Sequence, residues 1–186
     1  QLHFAHELSV YAEDEWTLNS KLKGNAGVNF STFLVDDKQY NSFQPRLSFR
    51  FLINDNSSFK MGYAKMAQFL HLLTNAGIGL PTDLWVPATS KIKPQFSDQI
   101  AIGYARTFNN KYEVSLEGYY KTMNNLIEYK DGASFFDSNT DWQDKVHIGR
   151  GWSYGTELLI EKKLGKRDVN FVPKEVEAFP PKMRSY

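Results

Sequence analysis

The stretch "RLSFRFLINDNSSFKMGYA", Arg46–Ala64, decides the fold. Leu47, Phe49, Phe51 and Ile53 alternate with Arg46, Ser48 and Arg50. In extended backbone, successive side chains point to opposite faces, so this pattern predicts a strand with one apolar and one polar face. "NDNS", Asn54–Ser57, is turn chemistry. Beyond it, Phe59, Met61 and Tyr63 alternate with Lys60, Gly62 and Ala64. The stretch is therefore a hairpin whose two faces differ sharply in polarity.

The same alternation continues on both sides. His6–Leu18 sets Leu8, Val10, Ala12, Trp16 and Leu18 against Glu7, Ser9, Tyr11, Glu13 and Glu15, with Asp14 interrupting the apolar row. Lys21–Ser31 sets Leu22, Ala26, Val28 and Phe30 against Lys23, Asn25 and Asn29. Downstream, Ile100, Ile102 and Tyr104 oppose Gln99, Ala101 and Gly103. Tyr112, Val114, Leu116 and Tyr120 oppose Glu113, Ser115, Glu117 and Lys121. A last strand sets Trp152, Tyr154, Leu158 and Ile160 against Ser153, Gly155, Glu157 and Glu161.

The connections between these seven predicted strands alternate in length. "NSK", "NDNS" and the Asn109–Asn110 pair are short. "TFLVDDKQYNS" (Thr32–Ser42), the stretch from His71 to Gln95, and the segment from Lys130 to Arg150 are long. Up-and-down strands then carry all short turns at one end and all long loops at the other, the habit of outer-membrane barrels. Strands of about ten residues suit a tilted bilayer crossing. Trp16, Phe108, Tyr120 and Trp152 fall near strand ends, where interface aromatics sit.

Composition agrees. The net charge is +1, with acids and bases nearly matched, so nothing points to a nucleic-acid partner. Cysteine is absent, which removes disulfides, thiolate metal sites and cysteine catalysis. A mean hydropathy of -0.49 and no long apolar run exclude a spanning helix but not a spanning barrel.

Several segments resemble a known family: "YAEDEWTLNSKLKGNAGVNFSTF", "QPRLSFRF", "KMGYAKMAQFLHLL", "LPTDLWVPAT", "IKPQFSDQIAIGY", "YEVSLEGYYKTMNNLIEYKDG" and "GWSYGTELLIEKKLGK". In this order, from about Ser9 to Lys166, they look like the barrel portion of TonB-dependent outer-membrane receptors. The expected fold is all-β: an antiparallel, up-and-down transmembrane β-barrel, incomplete, with about seven strands. Residues 1–166 would be the barrel portion, and 167–186, with Pro173, Pro180 and Pro181, an atypical tail. The resemblance implies a place in the cell outer membrane and uptake of a scarce small solute: an iron chelate, a vitamin or a glycan piece. It implies contact with outer-membrane lipid, a plug domain filling the barrel, and through the plug the TonB energising complex. It implies no cofactor and no catalysis. Seven strands alone would leave open edges, and each unpaired backbone group in hydrocarbon costs about several kcal/mol.

Two groups of residues are candidate functional positions. Asp83 and Trp85, in the long stretch after the fourth strand, are expected on the outer side and within reach of a ligand; the alternative is that "LWVP" packs the loop. Arg46, Arg50, Glu113, Glu117, Glu157 and Glu161 are expected to face the lumen, either holding a plug or pairing across strands along a wet wall. His3, His6, His71 and His147 show no metal-ligand spacing. Glu13, Asp14 and Glu15 lack an acid/base environment, Ser9 and Ser153 lack a nucleophile elbow, and "GNAG" and "GIG" are not phosphate loops. The competing functional classes are a soluble β-sheet ligand-binding module and an outer-membrane enzyme of barrel form.

Overall fold

A computed structural model describes residues 4–73, 84–130, 141–162 and 170–171. Seven long strands make one antiparallel sheet in chain order: β1 (Ala5–Thr17), β2 (Leu22–Val35), β3 (Lys38–Asn54), β4 (Ser57–Gln68), then, after a small insertion, β7 (Gln95–Phe108), β8 (Tyr112–Tyr129) and β9 (Val146–Lys162). The insertion is a separate hairpin of β5 (Leu70–Leu73) and β6 (Leu84–Pro87). A two-residue strand, β10 (Asn170–Phe171), pairs antiparallel with β9 at Ile160 and Glu161. The sheet does not close: β1 and β10 stand at its two ends. It is an incomplete β-barrel.

Register fixes which side chains share a face. Leu47 stands opposite Ala26 and Tyr63, and Phe49 opposite Gly24 and Met61. Ile102 stands opposite Met61 and Gly118, and Leu116 opposite Tyr104 and Leu158. The apolar halves of all seven strands therefore form one continuous face, and the charged halves form the other. No second layer among the described residues covers the apolar face: Leu47 is 41% exposed, Phe49 41%, Leu116 54% and Leu158 37%. Grooves of about 440 and 450 Å³ are lined chiefly by polar-face residues, among them Ser48, Arg50, Gly62 and Ala101, so that side is concave.

Every buried apolar residue among those described lies at the long-loop end. Phe33, Val35, Phe69 and Ala88 form one cluster, with Phe33 and Phe69 stacked at 4.9 Å. Leu73, Val86, Ile92, Ile127 and Val146 form another. Among the described residues the barrel wall thus has no core of its own, and a compact roof sits above it.

Two expectations need correction. Thr32–Ser42 is not a long loop. β2 and β3 run on as a tall hairpin, closed by Asp36 and Asp37 with Asp36 at φ 48°. The reason is a change of surroundings. In this extension Phe33 and Val35 occupy the face that is polar lower down, because there it meets the roof instead of water. Similarly, the stretch from His71 to Gln95, expected as one long connection, holds the short strand Leu84–Pro87, which pairs with Leu70–Leu73. The connections following β1, β3 and β7 are short, as expected. Asn170–Phe171 pairs with β9 inside the segment expected to be a tail.

Candidate functional site

The polar face carries six of the eight candidate residues, and register shows how they lie. Arg50 stands directly between Lys23 of β2 and Lys60 of β4. Arg46 lies between Gly27 and Ala64. Glu117 stands opposite Glu157, and Glu113 opposite Glu161. In the directly opposed positions Lys23–Arg50–Lys60, Glu117–Glu157 and Glu113–Glu161, like charge stands beside like. The side chains of Lys23, Arg50, Lys60, Glu117 and Glu157 make no hydrogen bond or ion pair with another described residue. Small residues make room between the charges: a Cβ on Gly103 would come 3.2 Å from the Cγ of Glu117.

The roof is built on hydrogen bonds. Thr89 is its hub. The Tyr40 hydroxyl donates to the Thr89 carbonyl, the Thr89 hydroxyl donates to the Gln143 side-chain carbonyl, and the Ile92 N–H donates to the Thr89 Oγ1 at 3.2 Å. Lys91 Nζ pairs with Asp144 at 2.9 Å, and that carboxylate holds the ammonium pKa above its ordinary value. Lys130 donates to the Asp144 carbonyl, and Asn125, at φ 59° in a bulge of β8, donates to the Pro94 carbonyl. Together these bonds tie the β6–β7 connection to the β8–β9 connection and to β3.

His71 is fully buried beneath this roof. Gln95 bonds its Nδ1 at 3.0 Å, and its Nε2 has no hydrogen-bond partner among the described residues. Burial pushes the imidazole down to about 4, against a smaller raising influence from the Lys93 backbone. Trp85 lies on the outward side of the β5–β6 hairpin, opposite Leu72 and 60% exposed, with Leu70 on the same side. The opposite side of the hairpin, with His71, Leu73 and Val86, is buried. The structure thus places Trp85 at the surface of the roof, while Asp83 lies outside the described residues. Thr89, Lys91 and His71 had no signal in the sequence. Their partners, Gln143, Asp144 and Gln95, are 24 to 54 residues away.

A family model, TonB dependent receptor-like β-barrel, matches residues 4–171, and the chain belongs to that family. Its fold resembles three solved structures. These are the FrpB iron transporter from Neisseria meningitidis (TM-score 0.63, 10% identity, 95% of this chain and 28% of that one), the alcaligin outer-membrane receptor FauA from Bordetella pertussis (0.57, 15%, 90% and 29%), and the ferric-catecholate import receptor Fiu from E. coli K12 (0.57, 11%, 91% and 28%). The chain therefore spans less than a third of the length of each. No curated protein sequence matches it.

Proposed function

We propose that the chain supplies part of the wall and the outer loops of an outer-membrane uptake receptor. The observation that carries this reading is the uncovered apolar face with a charged, concave face behind it. From Tyr112 to Thr122, β8 rises about 33 Å along the strand. Tilted by about 40°, that is about 25 Å of height, the apolar band of an outer-membrane barrel. Phe108 and Tyr112 mark one rim of the band and Trp152 the other, as interface aromatics do. Arg106 and Lys162 lie over the rings of Phe108 and Tyr112 at 5.0 and 6.0 Å, which suits a headgroup border.

On this reading the short turns face the periplasm and the roof faces outward. Arg46, Arg50, Glu113, Glu117, Glu157 and Glu161 line the lumen. Trp85, with Asp83 beside it in sequence, contributes to solute capture. The solute is an iron chelate, a class suggested by the names of the three structures the chain resembles. Uptake is energised through a plug domain and the TonB complex.

The test is uptake of radiolabelled iron chelates by cells in which the gene is deleted and then restored. The reading expects the protein in the outer-membrane fraction, and chelate uptake that is lost with the gene and abolished by a protonophore. A protein recovered in the soluble fraction without detergent would overturn it.

A further inference from the structure

The apolar face carries few charges, and their places differ. In register on that face, β2 and β3 have none. β1 has Asp14, with His6 near its top, and β4 has Lys65. β7 has Asp98 and Arg106. Below the bulge at Asn125, β8 has none and β9 has Arg150 and Lys162. Lys65, Asp98 and Arg150 lie toward the long-loop end. Asp14 is four strands from β7, about 19 Å across the sheet. At the short-turn rim of β7–β9, Arg106 and Lys162 are therefore the charges on this face, with no acid beside them.

The two cations form one patch. Phe108, Tyr112 and Lys162 stand in a row across three strands, and Arg106, Val114 and Ile160 in the next. The Arg106 guanidinium lies over the Phe108 ring at 5.0 Å, and the Lys162 ammonium over the Tyr112 ring at 6.0 Å. No ion pair joins either to an acid among the described residues. Glu113 and Glu161, their neighbours in register, occupy the polar face, and Asp55 lies in the β3–β4 turn. A ring face engages a cation without using its N–H donors, so both heads keep theirs.

We infer that this patch is a binding site for the phosphate of an anionic phospholipid in the leaflet at the short-turn rim. A guanidinium grips a phosphate with two parallel N–H groups, and the ammonium and the Tyr112 hydroxyl add single donors. The inference rests on the barrel reading above and adds a headgroup preference to it. Charge selects the lipid: two unpaired cations favour a headgroup of net negative charge over one whose own ammonium they repel. Continuity selects a lipid over a soluble anion. Directly above the patch, Val114, Ile160, Leu116 and Leu158 continue the exposed apolar face, where acyl chains bury surface that a free anion does not.

The experiment uses the whole receptor, purified in detergent and titrated with dioleoyl-phosphatidylglycerol or dioleoyl-phosphatidylethanolamine, with bound lipid counted by native mass spectrometry. Heat-dependent gel mobility checks that each variant is folded. The inference expects the anionic lipid to bind on the order of tenfold more tightly than the zwitterionic one. R106Q/K162Q should abolish that preference, and R106K/K162R should keep most of it. K21Q/K65Q, which removes equal charge elsewhere on the barrel, should leave it unchanged. No preference in the folded receptor, a preference surviving R106Q/K162Q, or one lost equally in K21Q/K65Q would overturn the inference and leave the receptor reading intact. Displacement of the lipid by millimolar inorganic phosphate would assign the patch to a soluble anion and overturn it too. A receptor recovered in the soluble fraction without detergent would overturn both.

Discussion

Trp16 lies edge-on to Phe49, ring centroids 6.3 Å apart and planes at 73°, and it reaches Phe49 across Gly24. A Cβ on Gly24 would stand 2.6 Å from Trp16 Cε2. The indole thus covers a glycine on the apolar face and joins β1 to β3. Gly24→Ala should displace a rigid ring and destabilise the barrel by about 1–3 kcal/mol. In Trp16→Ala the same glycine change should cost much less, because the two effects share one contact. Denaturant midpoints in lipid vesicles check this; strict additivity would contradict it.

Polarity on the outer face should depend on height. Leu116→Arg, in the middle of the apolar band, should destabilise the inserted barrel by about 2–4 kcal/mol, and Tyr112→Arg, at its rim, by about 0–1 kcal/mol. Equilibrium unfolding from vesicles measures both. Equal small effects would mean that the face meets water.

His71 sets a pH dependence for the roof. Buried and neutral, it takes up a proton only near pH 4, whereas in the unfolded chain it does so near 6.5. Its contribution is therefore fully present above pH 6.5 and is lost as the pH falls from there through about 4. The loss is on the order of 3 kcal/mol. Hydrogen exchange of Leu70–Leu73 should accelerate over that window, and in His71→Leu it should not.

Thr89 anchors the roof through three bonds. Thr89→Val leaves the buried Ile92 N–H without its acceptor, which should cost about 1–3 kcal/mol. The segments 84–94 and 141–145 should then exchange faster together, with the wall strands unchanged. Lys91→Ala removes an exposed pair and should leave exchange nearly as it was.

The wall portions of the strands below the roof were legible in the sequence because one face stays apolar throughout: Leu47, Phe49, Phe51 and Ile53 read as clearly in the chain as in the sheet. Legibility failed where the surroundings changed. Phe33 and Val35 sit on the otherwise polar face because the roof covers them, so alternation slips in phase there and reads as a loop. The β5–β6 hairpin hides because each strand is four residues long and β5 buries a histidine. The candidate charges were visible one by one. Their neighbours were not, because which charge stands beside which depends on strand register, which alternation alone does not set.

The central claim is that the apolar face meets lipid and the polar face an aqueous interior. The chain has no cysteine of its own, so, with any cysteine elsewhere in the receptor replaced, single nitroxide labels can be placed at its positions in the receptor reconstituted in bilayers. Collision rates with oxygen, which concentrates in lipid, and with a water-soluble nickel chelate then report each face. The account predicts oxygen-dominated collisions at 47, 49, 116 and 158 and nickel-dominated or protein-shielded signals at 48, 50, 117 and 157. Nickel-dominated collisions at 47, 49, 116 and 158 would contradict it.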